Sequence, residues 1–451
     1  MMKNFDVLFI GSGQAAWNAA LPLAMAGKKV GVIEENKVAG VCTNFGCDAK
    51  AVLDGPVKAL EIMKQYEEVS LNPMNASINW EKLMQHKHMI IDPLADQVQG
   101  LLERVGVTFI FGHAEFIDPT TIEVKNEKYT AEKFVIATGQ RPARLNIEGK
   151  EFLKSSTDFF DLETLPKEIV FVGAGYVSME LASIAISSGA NVQIVEFGSR
   201  ALSGFDSEFA DKLVKKMSNE GVAFHFNQAV TKVEKNEADQ LIVTTDGGKQ
   251  IVADYVIDAT GRIPNVEHVG LDKAGVIYDR QGIVVNGHLQ TSQKNIYASG
   301  DVVKKDVPKL TPTAAFEARY LTRLITGQTQ AEIDYPLIAT AAFTLPRIAQ
   351  VGVTTSEAAE NPEKYTVKTI DLANTWDYKA MNEKEAEMKL IFDQSKNLVG
   401  AANYSNEAPE VINSLTTIIQ NKLSLMDLDK MLYAFPTLDY NLPFYLMQAM
   451  G

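Results

Sequence analysis

One pattern occurs twice in this chain at the same spacing, and it restricts the fold more than any other feature. Residues 5–10 form a short apolar run. Gly11-Ser12-Gly13-Gln14-Ala15-Ala16 follows, then an alanine-rich stretch to about Ala26 and a second apolar run, 29–33, that ends on Glu34. The order recurs in residues 168–172, in Gly173-Ala174-Gly175-Tyr176-Val177-Ser178, and in the stretches 179–188 and 191–195, which end on Glu196. In both copies the first glycine and the terminal acid are 23 residues apart. Strand, glycine turn, helix, strand and acid are the parts of a βαβ dinucleotide site. The first glycine allows the tight turn, and the second lets a pyrophosphate approach the backbone. The third position must be small so that helix and strand pack. It is Ala16 in the first copy and the slightly larger Ser178 in the second. The helix N-terminus then offers free N–H groups to phosphate, and Glu34 is placed to accept from a ribose hydroxyl. Glu196 suits a free 2′-hydroxyl and repels a 2′-phosphate, so the second site favours NAD(H) over NADP(H), with Arg200 nearby as the one opposing feature.

Between the two copies lies Gly40-Val41-Cys42-Thr43-Asn44-Phe45-Gly46-Cys47-Asp48-Ala49-Lys50, which holds both cysteines of the 451-residue chain. A disulfide across so short a loop adds little stability. A metal pair is disfavoured, because the chain has no further cysteine and no histidine lies nearby. Redox chemistry is the first reading, and a reducing compartment suits a pair that cycles rather than staples.

The rest of the composition narrows the class. Apolar residues make up 46% and charged residues 22%, enough for packed cores in a protein of two to four domains. A net charge of −14 argues against nucleic acid or an anionic membrane as partner and fits the handling of small molecules. No apolar run reaches the length of a membrane span. Asp6 and the first glycine turn interrupt the N-terminal stretch, so it reads as folded protein and the chain as cytoplasmic.

Residues 50–66 and 81–105 are expected as helices. His86 and His88 lie on the second and read as solvated or half-buried; His113, His225, His268 and His288 read as structural. Residues 134–138 and 255–260 are strands that each end in Ala-Thr-Gly, at Thr138-Gly139 and Thr260-Gly261. Such an end lets backbone come close to a cofactor. Residues 295–301 form a strand leading to Gly300-Asp301, and Lys309-Leu310-Thr311-Pro312 opens a helix. From about Asp334 the chain alternates strands and long helices without glycine turns, as a third domain.

Two dinucleotide folds, Cys-x4-Cys after the first, and Gly-Asp before a helix together resemble the pyridine nucleotide–disulfide oxidoreductases over essentially the whole chain. This family includes dihydrolipoamide dehydrogenase, glutathione reductase and mercuric reductase. The resemblance implies an α/β chain of two Rossmann-like domains and an α+β dimerisation domain. Residues 1–150 with 265–335 would bind FAD, 151–264 would bind NAD(H), and 336–451 would form a homodimer. Phe343-Thr344-Leu345-Pro346 and Val351-Gly352-Val353-Thr354 match the opening strands of the dimerisation domain, with Arg347 where an acid is usual.

By the same resemblance Glu34 meets the adenosine ribose of FAD and Asp301 its ribitol chain. Gly11, Gly13, Ala16, Gly40, Thr138 and Gly139 complete that site, while Gly173, Gly175, Glu196 and Gly261 serve the nicotinamide nucleotide. Cys47 would lie against the flavin as the charge-transfer thiol, and Cys42 would be the interchange thiol. Tyr176 matches the residue that covers the nicotinamide pocket. Lys50 and Glu180 match a pair close to the flavin N5.

Two departures stand out. The family has Cys-x-Pro-x-Lys where this chain has Cys47-Asp48-Ala49-Lys50, one residue shorter. That change turns a helical side chain by about 100° and leaves Asp48 as a candidate N-cap. The family's His-Pro-Thr-x-x-Glu is here Phe435-Pro436-Thr437-Leu438-Asp439-Tyr440, and no histidine follows His288. The implied activity is electron transfer from NADH through FAD and Cys42–Cys47 to a small-molecule acceptor. That acceptor is a disulfide with a good leaving group or a thiophilic metal ion. The alternatives are a quinone-like oxidant reduced directly at the flavin and a non-catalytic redox-sensing flavoprotein. Mercuric reductases also lack the histidine, but they add a C-terminal cysteine pair absent here.

Overall fold

The first βαβ unit forms as its pattern predicts. In the computed structural model, which describes residues 3–67, 69–73 and 75–450, β1 (Lys3–Ile10) and β2 (Val30–Glu34) pair in parallel across α1 (Gln14–Met25). Leu8, Phe9 and Ile10 are all buried, because parallel strands covered on both faces need a continuous apolar run rather than alternation. Then come α2 (Gly40–Phe45), α3 (Cys47–Glu67) and α4 (Trp80–Arg104), the last capped by the Asn79 side chain accepting from Lys82 N. Because α3 begins at Cys47, Asp48 sits inside its first turn and is not the N-cap. Strands β3 (Thr108–Phe111), β4 (Glu115–Asp118), β5 (Thr121–Val124) and β6 (Glu127–Ile136) complete a sheet ordered β3-β2-β1-β6-β5-β4.

The second unit follows β7 (Gln140–Pro142) and the short α5 (Ser156–Phe159). It comprises β8 (Glu168–Val172), α6 (Tyr176–Ser187), β9 (Asn191–Glu196), α7 (Ser207–Asn219) and β10 (Ala223–Phe226). An antiparallel ribbon of β11 (Val230–Lys235), β12 (Leu241–Thr245) and β13 (Gln250–Ala253) precedes β14 (Tyr255–Asp258), which closes a parallel sheet ordered β10-β9-β8-β14. The chain crosses back on β15 (Arg262–Pro264), antiparallel to β7. After α8 (Leu271–Ala274) and the two-residue strands β16 (Tyr278–Asp279) and β17 (Gly282–Ile283), β18 (Ile296–Ala298) returns to the first sheet beside Phe134, Val135 and Ile136 of β6. Helix α9 (Thr311–Ile325) packs on α1.

The remaining residues form an antiparallel sheet ordered β19-β20-β23-β22-β21. Its elements are β19 (Thr340–Ala342), β20 (Arg347–Gly352), α10 (Thr355–Glu360), β21 (Tyr365–Asp371), α11 (Trp376–Ala380), β22 (Glu387–Asp393) and β23 (Leu398–Ser405). They are followed by α12 (Ala408–Gln420), α13 (Leu425–Leu428) and α14 (Leu438–Met450). The expectation for the opening strands needs correction. Residues 343–346 are the buried connection between β19 and β20, and Val351-Gly352 is the end of β20 rather than a strand of its own. Among the described residues no helix is long and apolar enough to cross a membrane.

One carboxylate ties the second unit to this sheet. Asp206, almost fully buried, caps α7 by accepting from Phe209 N at 3.0 Å. It also accepts from Lys389 Nζ at 3.0 and 3.1 Å and from Thr355 Oγ1 at 2.6 Å. Removing the cation would leave a buried anion without its counterion. Lys389→Met should therefore destabilise the protein by about 3 kcal/mol or more. Urea denaturation reads this as a lower midpoint; an unchanged midpoint would show that the pair contributes nothing net.

Candidate active site

The two glycine turns are built alike down to their second layer of contacts. Gly11 has φ +99° and Gly173 φ +96°, in the left-handed region that favours glycine. A Cβ on Gly11 would lie 2.5 Å from the Ala137 carbonyl oxygen, and one on Gly173 would lie 2.8 Å from that of Ala259. The Ala-Thr-Gly strand ends thus press on the turn from below, a reason for them beyond cofactor access. The terminal acids are equally matched. Glu34 Oε2 accepts from Ser12 N at 2.9 Å and Ser12 Oγ at 2.6 Å, and its Oε1 accepts from Asn36 N at 2.8 Å. Glu196 Oε2 accepts from Ala174 N at 2.6 Å and its Oε1 from Gly198 N at 2.6 Å. Each carboxylate clamps its own turn and keeps lone pairs for a further donor. Gly13 and Gly175 make no side-chain cap, so α1 and α6 present uncapped N-termini, as anion sites require. Ala16 and Ser178 are buried at the helix–strand contacts; the Ser178 hydroxyl has no partner.

A cleft of about 1390 Å³ runs from the first turn past the cysteines to α6. Gly11, Gly13, Glu34, Gly40, Cys42, Cys47, Lys50, Thr138, Gly139, Tyr176, Glu180 and Asp301 all line it. Gly173, Gly175, Glu196 and Gly261 do not; they belong to the second unit's own turn and its facing strand end. Thr138 faces the cleft, but its hydroxyl donates to the Asn265 carbonyl at 2.7 Å. The cleft's size, its open glycine backbone and the bare helix N-termini fit an extended dinucleotide.

The thiols come together because Gly46 separates α2 from α3. A Cβ there would lie 3.1 Å from the Val41 carbonyl oxygen and 3.2 Å from Cys42 Cα, so the tight reversal leaves little room for a side chain. Both cysteines are free, with Cys47 exposed to the cleft and Cys42 half-buried. Thr311, first residue of α9, donates to Cys42 Sγ at 2.9 Å, and its oxygen lies 3.6 Å from Cys47 Sγ. Cys47 is lowered to about 6, first by the hydrogen bond from Cys42 and further by Thr311 and Lys50. Cys42 is raised, chiefly because it supplies that proton, and burial adds to this. These opposite shifts favour a proton on Cys42 and a thiolate on Cys47, at the N-termini of α3 and α9, where helix dipoles favour an anion.

Lys50 reaches Glu180 despite the shortened motif: Nζ to Oε2 is 2.8 Å, and both side chains are largely buried. Burial raises the Glu180 carboxyl, opposed by Lys50 and by the Phe343 N–H. Asp301 is also raised by burial. Its turn is fixed by Glu317, a fully buried acid that accepts from Gly300 N at 2.6 Å, Lys305 Nζ at 2.5 Å and Tyr335 Oη at 2.7 Å. Sequence reasoning missed the roles of Thr311 and Glu317. The Thr-Pro at the start of α9 was the only local signal.

Phe435 and Tyr440 meet edge to face, with ring centroids 4.9 Å apart, and Trp376 lies 5.8 Å from Phe435. All three rings are exposed, 53% for Trp376, 65% for Phe435 and 48% for Tyr440, on a face that also bares Met426, Phe444 and Met447.

Comparison with known proteins gives the same assignment from both halves of the chain. Residues 5–318 match the model of the pyridine nucleotide-disulphide oxidoreductases, and residues 338–443 match that family's dimerisation domain. Among curated relatives, a dihydrolipoyl dehydrogenase of Bacillus subtilis (strain 168) is 31% identical over 444 residues, covering 96% of this chain and 94% of the relative. A mercuric reductase of Lysinibacillus sphaericus is 30% identical, covering 96% and 81%. A glutathione reductase of Nostoc sp. is 30% identical, covering 95% and 96%. With twin dinucleotide turns, a thiol pair at the cleft wall and a C-terminal dimerisation sheet, the chain belongs to the pyridine nucleotide-disulphide oxidoreductase family.

Proposed function

We propose that the cleft holds FAD along the first turn, that NADH binds at the second unit's own turn and meets the cleft at Tyr176, and that two electrons leave through Cys42 and Cys47 to a small acceptor. The observation that carries this is the thiol pair on the wall between Gly11–Gly13 and Tyr176–Glu180, both sulfurs approached by the Thr311 hydroxyl. Bound flavin would supply the step between a hydride donor and a dithiol. Glu34 and Asp301 would hold its ribose and ribitol, and Lys50 and Glu180 would stand beside its reactive edge. The balance is simple: NADH gives up a hydride, and the Cys42–Cys47 disulfide takes its two electrons and one proton, ending as the Cys42 thiol and the Cys47 thiolate. The chain is divided as 1–150 with 265–335, 151–264 and 336–451. The paired crossing strands β7 and β15 support the inner boundaries. The exposed aromatic face around Phe435 is the homodimer surface, and a single-chain mass in sedimentation velocity would remove that assignment.

NADH is the donor. Glu196 would face the 2′ position, and one nitrogen of the Arg200 guanidinium is engaged by the carbonyls of Ser203 at 2.9 Å and Phe205 at 3.1 Å, which opposes its use on a 2′-phosphate. The purified protein should be yellow with dissociable FAD. Its kcat/KM should favour NADH over NADPH at least about tenfold, the equivalent of about 1.4 kcal/mol, and Glu196→Ala should narrow the gap. Equal values for the two nucleotides would sink the NADH assignment, and a protein that never binds FAD would sink the whole reading. A quinone-like acceptor taking electrons directly at the flavin would keep its rate in Cys42→Ser.

A further inference from the structure

The Lys50–Glu180 pair is held by a second ion pair that neither the glycine turns nor the thiols require. Phe343 touches both members of the first pair. Its backbone N–H donates to Glu180 Oε1 at 2.8 Å, and its ring centroid lies 4.2 Å from Lys50 Nζ. The same ring carries the Arg347 guanidinium at 5.2 Å. Arg347 in turn donates to Asp54 Oδ2 at 2.5 Å, with only 7% and 10% of the two side chains exposed. Asp54 lies one turn beyond Lys50 on α3, on the same helical face. The contacts therefore close a circuit: Lys50, Glu180, Phe343, Arg347, Asp54 and back along the helix. Within it the 343–346 connection is fixed, with Thr344 Oγ1 donating to the Pro346 carbonyl at 2.7 Å.

Burial of this second pair has no obvious stabilising return. Arg347 Nε is buried with no partner, and Asp54 is raised by burial despite Arg347, Lys50 and Lys58 around it. A buried ion pair with an orphaned donor is often no better than well-packed apolar residues of the same volume. Holding Phe343 is the work that the contacts of this pair leave for it.

We propose that Asp54 and Arg347 are positioning residues: through Phe343 they fix the Lys50 ammonium between Glu180 and Cys47, and so set the field on the thiolate and on the cofactor edge beside it. This rests on the reading of the cleft as an FAD site. It explains how the shortened Cys47-Asp48-Ala49-Lys50 segment still delivers its lysine, because Asp54, one turn along α3, holds Arg347 and through it the Phe343 ring against the ammonium. The charge of Lys50 lowers Cys47 and that of Asp48 opposes it.

The test uses the FAD-loaded protein with its thiols reduced and its flavin oxidised, and follows the long-wavelength absorption of the Cys47 thiolate against the flavin as pH is varied. Asp54→Leu/Arg347→Met removes both charges while keeping volume, so that folding survives. Arg347→Lys keeps the charge but not the fork. The double variant should retain its melting temperature. Its band should titrate about half a pH unit or more higher than in the parent, as expected when a cation within about 4–6 Å is released. Its reduction by NADH should slow by about tenfold, the scale of effect that a small misplacement of site groups produces. Arg347→Lys should restore part of both. A double variant as stable as the parent, with unmoved band and rate, overturns the positioning role and leaves the FAD reading intact. A parent protein with flavin but no such band overturns the reading on which the proposal rests.

Discussion

Cys42→Ser and Cys47→Ser should each lower thiol-dependent reduction of an acceptor by at least about 10³-fold, the usual scale for removing a reacting nucleophile. Their spectra should differ. In Cys47→Ser no thiolate remains beside the flavin, so the long-wavelength band should vanish. In Cys42→Ser the serine hydroxyl can still donate to Cys47, and Thr311 still lies 3.6 Å away, so the band should persist. Its pH dependence follows from the lowered Cys47: the thiolate should be half formed near pH 6, present above it and lost as pH falls through it. Thr311→Val removes the hydroxyl that approaches both sulfurs and should move that midpoint upward. A band that survives Cys47→Ser would reverse the thiol roles, and full acceptor turnover in Cys42→Ser would place the exit of electrons at the flavin instead.

The βαβ units could be read from sequence because every part of their signal is local. An apolar run, a glycine turn and a closing acid lie within some two dozen residues, and parallel strands buried on both faces leave continuous apolar runs that stand out. The same rule misled at residues 343–346. Phe343, Thr344 and Leu345 look like strand because they are apolar or β-branched, and Thr344 is fully buried, yet they form a connection whose Phe343 meets Glu180 of α6 and Lys50 of α3. An apolar run records burial, not extension.

The contacts that organise the site lie far apart in sequence. Thr311 is 269 residues from Cys42, Glu180 is 130 from Lys50, and Arg347 is 293 from Asp54. No pattern within one segment could pair them without the resemblance that linked Lys50 to Glu180, and none linked Asp54 to Arg347. The clamping of the turns by Glu34 and Glu196 was hidden for another reason. Their spacing marks them as ribose acceptors, but the Ser12 and Ala174 N–H groups they hold become visible only once the turn is folded.

The second large effect concerns what the protein does not do, and it rests on Phe435. When Cys42 attacks a disulfide, the leaving thiol needs a proton, and in reverse an incoming thiol must lose one. General acid–base help of this kind contributes about 10²–10⁴-fold. By the family resemblance this help comes from the histidine of the C-terminal His-Pro-Thr-x-x-Glu segment, oriented by its glutamate and brought to the thiols across the dimer; at that position this chain offers a phenyl ring packed against Tyr440 and Trp376, and the phenol of Tyr440, with an unperturbed pKa of about 10, is a weak base at neutral pH. Oxidation of dihydrolipoamide by NAD, and reduction of lipoamide or glutathione disulfide by NADH, should therefore be slow by about 10²-fold or more relative to an enzyme with the acid. Acceptors whose leaving group needs no proton escape the penalty: aromatic disulfides, whose thiols are acidic, and soft metal ions that bind thiolate directly. Lipoamide, glutathione disulfide, an aromatic disulfide, Cu(II) and Hg(II) should be compared under NADH in the native protein and in Phe435→His/Tyr440→Glu, which restores the acid and its orienting partner. The first two should be poor in the native protein and improve at least about tenfold in the double variant, while the aromatic disulfide changes little. Native turnover of lipoamide or glutathione disulfide at the rate of the aromatic disulfide, with Cys42 required, would mean that another group in the cleft donates the proton, and Thr311, bonded to Cys42 at 2.9 Å, would be the first to replace.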